Sequence, residues 1–306
     1  MIKTAFAALS LSLLPLACVS ASAQRLTIGY RTYQIVTFDV PGAVPGPSSP
    51  SAPRLSNLGT VVGYYADSSG HFLGWEKSLF GPVVTGLKDP HDNLGFTRAY
   101  GINDFGEIVG AYLNLSDGYH GFTLKNGVYT TYDLAGTTQT QLAGINNFSD
   151  LVGFTESLAP GTLGKEEAFL VQSGKVTTLF YMNDNTYGQG LNNLGEMVGI
   201  AVDAQNNSHS FYRSAQGAIT PIVVPNAVSV TVDSINDLGE VAGQYLDNAG
   251  NMHGFLHNVH QSAYYTIDIP GAKQTFTGGL NDFGMISGHY LLPNGAAHAY
   301  ILIPIL

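Results

Sequence analysis

A ten-residue stretch, Gly101-Ile102-Asn103-Asp104-Phe105-Gly106-Glu107-Ile108-Val109-Gly110, recurs in close variants five more times along the chain. The equivalents of its Asn are Asn146, Asn192, Asn236 and Asn281, with Ser56 in the first copy, so successive spacings are 47, 43, 46, 44 and 45 residues. Self-similarity at a fixed period means one supersecondary unit repeated, each copy burying its apolar face against its neighbours. A period of about 45 made of short strands is the size of a four-stranded propeller blade, whereas leucine-rich and β-helical coils repeat at about half that or less. Helical repeats of similar length find no support. Runs such as Val128 to Leu134 and Tyr264 to Ile269 are β-branched, aromatic and alternating, with no 3.6-residue stripe. Composition agrees: charged residues are 11% of the chain, against roughly 25% in typical soluble domains, and 37 residues are Gly.

Within the second unit the pattern predicts strands at Thr97 to Asn103, Glu107 to Leu113, His120 to Lys125 and Val128 to Leu134. Asn103-Asp104-Phe105-Gly106 suits a tight hairpin, because the Asn side chain bonds the backbone two residues on and the Gly accepts positive φ. Gly110 and its equivalents Gly63, Gly153, Gly199, Gly243 and Gly288 fall inside the second strand, where a Gly implies close approach of another backbone; tight packing of blade on blade is the expected reason. In the third strand an aromatic recurs in every copy, as Trp75, Phe122, Phe169, Phe211, Phe255 and Tyr300. Burial of each between blades is worth about 1.5 to 3 kcal/mol.

The chain ends specify how the array closes. The last unit stops after its third strand, Ala297 to Ile303. Meanwhile residues 33–43, containing Thr37-Phe38-Asp39-Val40-Pro41-Gly42-Ala43, match the fourth-strand ending Thr266-Ile267-Asp268-Ile269-Pro270-Gly271-Ala272. Pairing of the first strand with the last blade would close a ring and cover a sheet edge. The expected fold is therefore all-β: a single-domain six-bladed β-propeller of four-stranded blades over residues 24–306, closed by the N-terminal strand.

Residues 1–23 read as a secretory signal: Lys3 supplies the positive start, Ala5 to Leu16 an apolar core, and Ala21-Ser22-Ala23 a small-residue cleavage pattern before Gln24. Export to the periplasm, cell surface or medium follows. No apolar run reaches the roughly 20 residues of a membrane-spanning helix. The one Cys, Cys18, lies within that leader; as a lipidation site it would have Pro15 where an aliphatic residue is usual. Cleavage would leave a chain without disulfides or thiolate chemistry. With 12 basic and 22 acidic residues the net charge is −10, which gives nucleic acid and anionic membrane no cationic surface to bind.

The pattern resembles the secreted HAF-repeat proteins of bacteria, whose His-Ala-Phe triplet appears here as His120-Gly121-Phe122, His209-Ser210-Phe211, His253-Gly254-Phe255 and His298-Ala299-Tyr300. The likeness covers nearly all of residues 33 to 306. The first unit departs with Leu73-Gly74-Trp75 and the third with Glu167-Ala168-Phe169. The resemblance implies export and a repeat fold, and it brings no catalytic residues.

The repeated side chains do not assemble into chemistry. His120, His209, His253 and His298 sit on third strands, roughly 10 Å outside the first at a strand spacing of about 4.8 Å, too far apart to share a zinc with bonds of about 2.0 Å; hydrogen bonding or packing is expected. Glu107, Glu196 and Glu240 are likewise spread around the ring, read as solvated turn positions rather than the close carboxyl pair that glycosidic chemistry requires. Asp39, Asp133 and Asp268 close fourth strands as turn caps. Asp247-Asn248-Ala249-Gly250-Asn251 and Asp67-Ser68-Ser69-Gly70 lack the twelve-residue calcium-loop spacing and read as hairpin turns. No metal or cofactor is called for, and signatures of zinc peptidases, serine hydrolases and phosphate loops are missing.

Function is then expected where the repeat stops repeating. On the first strands, the positions five and three before the Asn hold Arg98 and Tyr100, Gln141 and Ala143, Tyr187 and Gln189, Thr231 and Asp233, Phe276 and Gly278. Alternation places each pair on one face, and Arg98, Tyr100, Gln141, Tyr187, Gln189 and Asp233 at a common mouth suit a polar ligand such as a glycan. Two connections are longer than the repeat demands: Pro41 to Pro53, and Gly86 to Phe96 with Asp89, His91 and Asp92, the densest titratable cluster, read as a solvated loop on the axial face. The resulting expectation is a secreted, non-enzymatic binding or interaction module for polysaccharide or a cell-surface partner. The alternative is an extracellular polysaccharide hydrolase or lyase with Asp233 and the Asp89 to Asp92 loop at the axial mouth.

Overall fold

The structure is a computed structural model that describes residues 24–46, 49–51 and 54–305. The leader assigned to residues 1–23, Cys18 included, and the end of the Pro41 to Pro53 connection lie outside the described residues. Every regular element among the described residues is a β-strand. The strands form six antiparallel sheets arranged in a ring, five of them simple meanders. The innermost strands are Arg54–Leu55, Arg98–Ile102, Thr140–Ile145, Asn185–Leu191, Ser229–Ile235 and Gln274–Leu280. The remaining strands of the second blade run Ile108–Asn114, Gly118–Lys125 and Val128–Tyr132, within two residues of the bounds that the pattern predicts. The fold is the expected six-bladed β-propeller.

Closure is also as expected. The strand Arg31–Phe38 pairs antiparallel with Ala297–Pro304, with Thr37 opposite Tyr300 and Tyr33 opposite Pro304. Arg31 adds an ion pair to Glu240 of the fifth blade, Nη1 to Oε1 2.9 Å. The last blade is larger than the sequence pattern suggests: Arg25–Ile28 folds back on the closing strand and makes a fifth strand. Its turn is possible because Gly29 takes φ +58°, and a Cβ there would stand 2.7 Å from the Tyr265 ring of the fifth blade. Ile28 is buried against that neighbouring core, with Ile267 and Leu256. This short apolar hairpin lies before the first repeat, so periodicity carried no sign of it.

The third-strand aromatics are the centres of the cores between blades. Trp75, Phe122, Phe169, Phe211, Phe255 and Tyr300 are all among the largest fully buried side chains. The second-strand glycines serve a different contact from the one expected. Gly110 lies directly opposite Phe122, and a Cβ on it would meet that ring at 2.8 Å as well as the carbonyl of Arg98 in the same blade. The aromatic ring lies over its own blade's second strand, so the crowding comes from within the blade and not from the neighbour.

Two hydrogen-bonded circles, the first left open between Ser56 and Asn103, tie the blades together around the axis. In five of the six hairpins the Asn side-chain oxygen caps the turn, as Asn103 Oδ1 does for the N–H groups of Phe105 and Glu107 at 3.0 Å each, and in the first the Ser56 hydroxyl accepts from Thr60 N–H. The Nδ2 of each Asn is then free to donate to the backbone carbonyl of the equivalent residue in the next blade: Asn103 to Asn146, Asn146 to Asn192, Asn192 to Asn236, Asn236 to Asn281 and Asn281 to Ser56, at 3.0–3.2 Å. An Asp at this place would cap the turn but have no donor for the neighbour. The following residue builds the second circle. Each of Asn57, Asp104, Asn147, Asn193, Asp237 and Asp282 donates its backbone N–H to the side-chain oxygen of the next, at 2.7–2.9 Å, and Asp282 closes on Asn57.

Candidate functional site

The first strands do not alternate as the pattern assumes. Each of the five longer ones carries a β-bulge at the third residue before the Asn: Tyr100, Ala143, Gln189, Asp233 and Gly278 are the extra residues in the ladder. A bulge re-aims side chains, and the candidates lie in two separate places.

One group lies in the groove between the first and second blades, where the inner strand begins. The Arg98 guanidinium sits over three rings, 4.8 Å from Tyr64, 4.3 Å from Phe72 and 4.1 Å from Phe96. Its Nη1 reaches the Tyr100 hydroxyl at 3.4 Å, and Tyr100 packs edge-on against Tyr64. Tyr119 completes the wall, edge-on to Phe96. All six side chains are half-buried, so each offers part of its surface to solvent. Burial pushes the Tyr64 phenol up to about 12, which keeps it a neutral hydroxyl. Of this groove, sequence reasoning found Arg98 and Tyr100 and missed Tyr64, Phe72, Phe96 and Tyr119, which come from second and third strands and a connection. Tyr64 follows the repeated glycine, a place where the six blades hold six different residues, Tyr64, Ala111, Phe154, Ile200, Gln244 and His289, and that variability was a readable signal. Tyr187 makes a smaller version between the third and fourth blades, edge-on to Phe154 at 4.8 Å. Gln141 lies opposite Phe154 in the third blade.

The other group faces the axis. Gln189 and Asp233 line a cavity of about 70 Å³ together with Arg54. Arg54 Nη2 lies 3.4 Å from Asp233 Oδ1, and Nη1 donates to the Gly278 carbonyl at 2.9 Å. Burial pushes Asp233 up to about 6, and the Arg54 charge opposes that only in part. Asp233 Oδ2 has no hydrogen-bond partner among the described residues. The cavity is well above the roughly 10–15 Å³ needed to admit a water beside this oxygen.

The Gly86 to Phe96 connection is not the solvated loop that its charges suggest. Asp89 and Asp92 are 0% and 4% exposed. Asp89 Oδ1 accepts from the His91 N–H and contacts His91 Nδ1, while Asp92 accepts from Leu94, Phe96 and the Thr97 hydroxyl. They hold the loop in shape and carry Phe96 to the Arg98 groove. His91 is exposed beside Tyr112.

The repeated histidines act within their own blades. His120, His253 and His298 reach Asp133, Asp268 and Asp39 on the outer strands at 3.0, 2.7 and 2.6 Å, and each faces a Tyr of the second strand, Tyr112, Tyr245 or Tyr290. His209 pairs with the turn residue Asp203 at 3.0 Å. Asp67 and Asp247 cap their hairpins through backbone N–H groups, as expected for turns. The glutamates are less solvated than expected. Glu240 is buried, and Glu196 and Glu240 accept from Asn192 and Asn236, which draws them down onto the turn. Among the described residues no group of three or more His, Cys, Asp or Glu is placed to hold a metal ion, and no helix is long and apolar enough to cross a membrane.

No family model matches the chain, and no curated protein matches it in sequence. Solved structures do match in fold. A protein from the fungus Arthrobotrys oligospora, AofleA, superposes with a TM-score of 0.56 over 89% of this chain and 90% of its own, at 14% identity. The Aleuria aurantia lectin, described as a six-bladed β-propeller with a fucose recognition mode, gives 0.52 over 81% and 89% at 10% identity. A gluconolactonase from Xanthomonas campestris gives 0.54 over 94% and 96% at 11% identity. At these identities what is shared is the propeller: the chain is similar in architecture to sugar-binding and to catalytic rings alike.

Proposed function

We propose that this chain is an exported binding module that takes a saccharide in the groove between its first and second blades. The observation that carries the reading is the Arg98 groove itself, a guanidinium held among half-exposed aromatic rings. Flat apolar ring faces suit the C–H faces of a sugar, and the Arg98 N–H groups and the Tyr100 hydroxyl suit its oxygens. Arg98 is also the one charged side chain at a place where the other blades hold Ser51, Gln141, Tyr187, Thr231 and Phe276. The lectin among the structural neighbours gives a precedent for sugar binding on a six-bladed ring. The resemblance to secreted HAF-repeat proteins and the leader in residues 1–23 support export.

One observation favours the enzymatic alternative: Asp233 is a buried carboxyl with a raised pKa beside Arg54, the kind of perturbed pair that marks catalytic sites. The size of its surroundings weighs against it. A cavity of about 70 Å³ is far below the roughly 300 Å³ of small-molecule sites, so a sugar unit does not fit beside that carboxyl.

A glycan array probed with the purified chain tests the reading. Binding to at least one oligosaccharide is expected, weakened tenfold or more in Arg98→Ala and Tyr100→Ala. Tyr187→Ala reports whether the smaller groove contributes. If the Arg98 and Tyr100 variants bind as the parent does, the groove is the wrong place. Release of reducing ends from the bound glycan, abolished in Asp233→Asn, would establish the enzyme instead.

A further inference from the structure

The opposite end of the axis carries a second surface. In each blade the residue after the second hydrogen-bonded circle is large and apolar, and it is exposed: Leu58, Phe105, Phe148, Leu194, Leu238 and Phe283 are between 54% and 73% accessible. They occupy the hairpin tips, one per blade, so they form a crown around the mouth of the channel. Turn chemistry asks for Asn and Gly in these hairpins but not for Phe or Leu at the tip, and six exposed large apolar side chains gathered at one end are the kind of patch that marks an interaction site. At the centre of the crown, the second circle contains three carboxylates, Asp104, Asp237 and Asp282, and three amides.

The arrangement of these six side chains shows what the crown receives. Asn57 Nδ2 donates to both Asp104 at 3.0 Å and Asp282 at 2.7 Å. Asn147 Nδ2 donates to Asp104 at 2.6 Å, and Asn193 Nδ2 to Asp237 at 2.9 Å. The junction between Asp237 and Asp282 brings two carboxylates together, and burial with the neighbouring Asp237 and Asp104 charges pushes Asp282 up. An ammonium or guanidinium supplies N–H donors and positive charge there. A second copy of this chain would set its own three carboxylates against these three, and an anionic lipid surface would meet the same repulsion.

We propose that the hairpin end of the propeller is a docking platform for a polypeptide that presents a Lys or Arg side chain to the Asp237–Asp282 junction, with apolar residues on either side of it resting on the crown. The surface lies at the other end of the channel from the Arg98 groove, and sugar binding there stands or falls separately.

The test uses a fluorescein-labelled pentapeptide, Phe-Leu-Lys-Leu-Phe, and its Phe-Leu-Gln-Leu-Phe counterpart, titrated with the full chain by fluorescence anisotropy. The Lys peptide is expected to bind at least tenfold more tightly than the Gln peptide. Asp237→Asn with Asp282→Asn should erase that difference, and Asn at three of the six equivalent places shows that the turn accepts the change. Phe105→Ser with Phe148→Ser and Phe283→Ser should weaken both peptides, with circular dichroism confirming an intact fold. Equal binding of the two peptides, no binding of either, or binding unchanged in both variants overturns the proposal. So does a concentration-dependent dimer, or adsorption to phosphatidylserine vesicles, that the triple Ser variant abolishes.

Discussion

Replacing Gly110 by Ala pushes a methyl group into the Phe122 ring and the Arg98 carbonyl, and neither has room to retreat, because Phe122 is 1% exposed and the carbonyl belongs to a paired strand. Overpacking of this kind costs about 1–3 kcal/mol, and truncating Phe122→Ala about 3–5 kcal/mol. Both are expected as lower urea midpoints, and Gly106→Ala, which meets open space but sits at φ +72°, separates backbone strain from crowding. Charge makes a second expectation. Asp233 titrates near 6 in the fold, above the roughly 3.9 of an unfolded chain, so the folded state holds the extra proton between those values. Stability therefore rises as pH falls through 6 toward 4, and Asp233→Asn should flatten that slope in denaturation series from pH 4 to 7. The clasps have other windows. Burial opposes the charge on His253, but hydrogen bonds that its ring N–H groups donate to Asp268 and Asp247 outweigh it and raise the imidazole above its ordinary 6.5; that contribution is present below 6.5 and is lost as pH rises through the raised value. Asp203 and Asp247 are held below the usual carboxylate range first by hydrogen bonds from Asn207 and Asn251. Their contribution is present above about 4 and fades as pH falls further.

A single strand of this ring is readable in advance when it repeats and opaque when it does not. Most of the hairpins announce themselves through Asn and Gly, with Ser56 in the Asn place of the first and Ser149 in the Gly place of the third, and the four strands of the second blade lie where alternation puts them. The bulges do not announce themselves, because an extra residue such as Asp233 in the Ser229–Ile235 strand changes the ladder without changing the composition. Nor does the bulge alone say where its residue goes: Gln189 and Asp233 face a water-sized cavity, while Tyr100 at the same bulge place packs against Tyr64. Asp89 and Asp92 misled for a related reason: a run of charges reads as solvated, yet Asp92 is satisfied by two N–H groups and the Thr97 hydroxyl of its own loop, and Asp89 is buried with one oxygen held by His91. The hairpin tips hid in plain view, since the same four residues that make a turn also raise Phe105 and its equivalents into solvent. The outermost strand, Arg25–Ile28, offers a test of element-level independence. A chain starting at Arg31 loses that strand but keeps the closing one, and should unfold cooperatively with a melting temperature a few degrees lower, given roughly 2–4 °C per kcal/mol for a domain of this size.

Closure decides whether the molecule exists as a ring at all. A chain starting at Asp39 lacks the closing strand, leaving Ile301 and Leu302, both 0% exposed in the ring, on a bare three-stranded edge. Such a chain is expected to lose its near-ultraviolet circular dichroism and to aggregate, and a synthetic peptide of residues 24–40 added during refolding should restore both signal and solubility. A protein that refolds without the peptide would show that five complete blades suffice.

The antiparallel pairing of Arg31–Phe38 with Ala297–Pro304 places Tyr33 opposite Pro304, so the chain enters and leaves that seam at the same end. Tension applied between the two termini peels the outermost strand and then parts the seam one rung after another, like a zip, where a parallel pair would have resisted in shear. Anchored by one terminus alone, the toroid bears load without opening; pulled by both, it has a designated point of rupture.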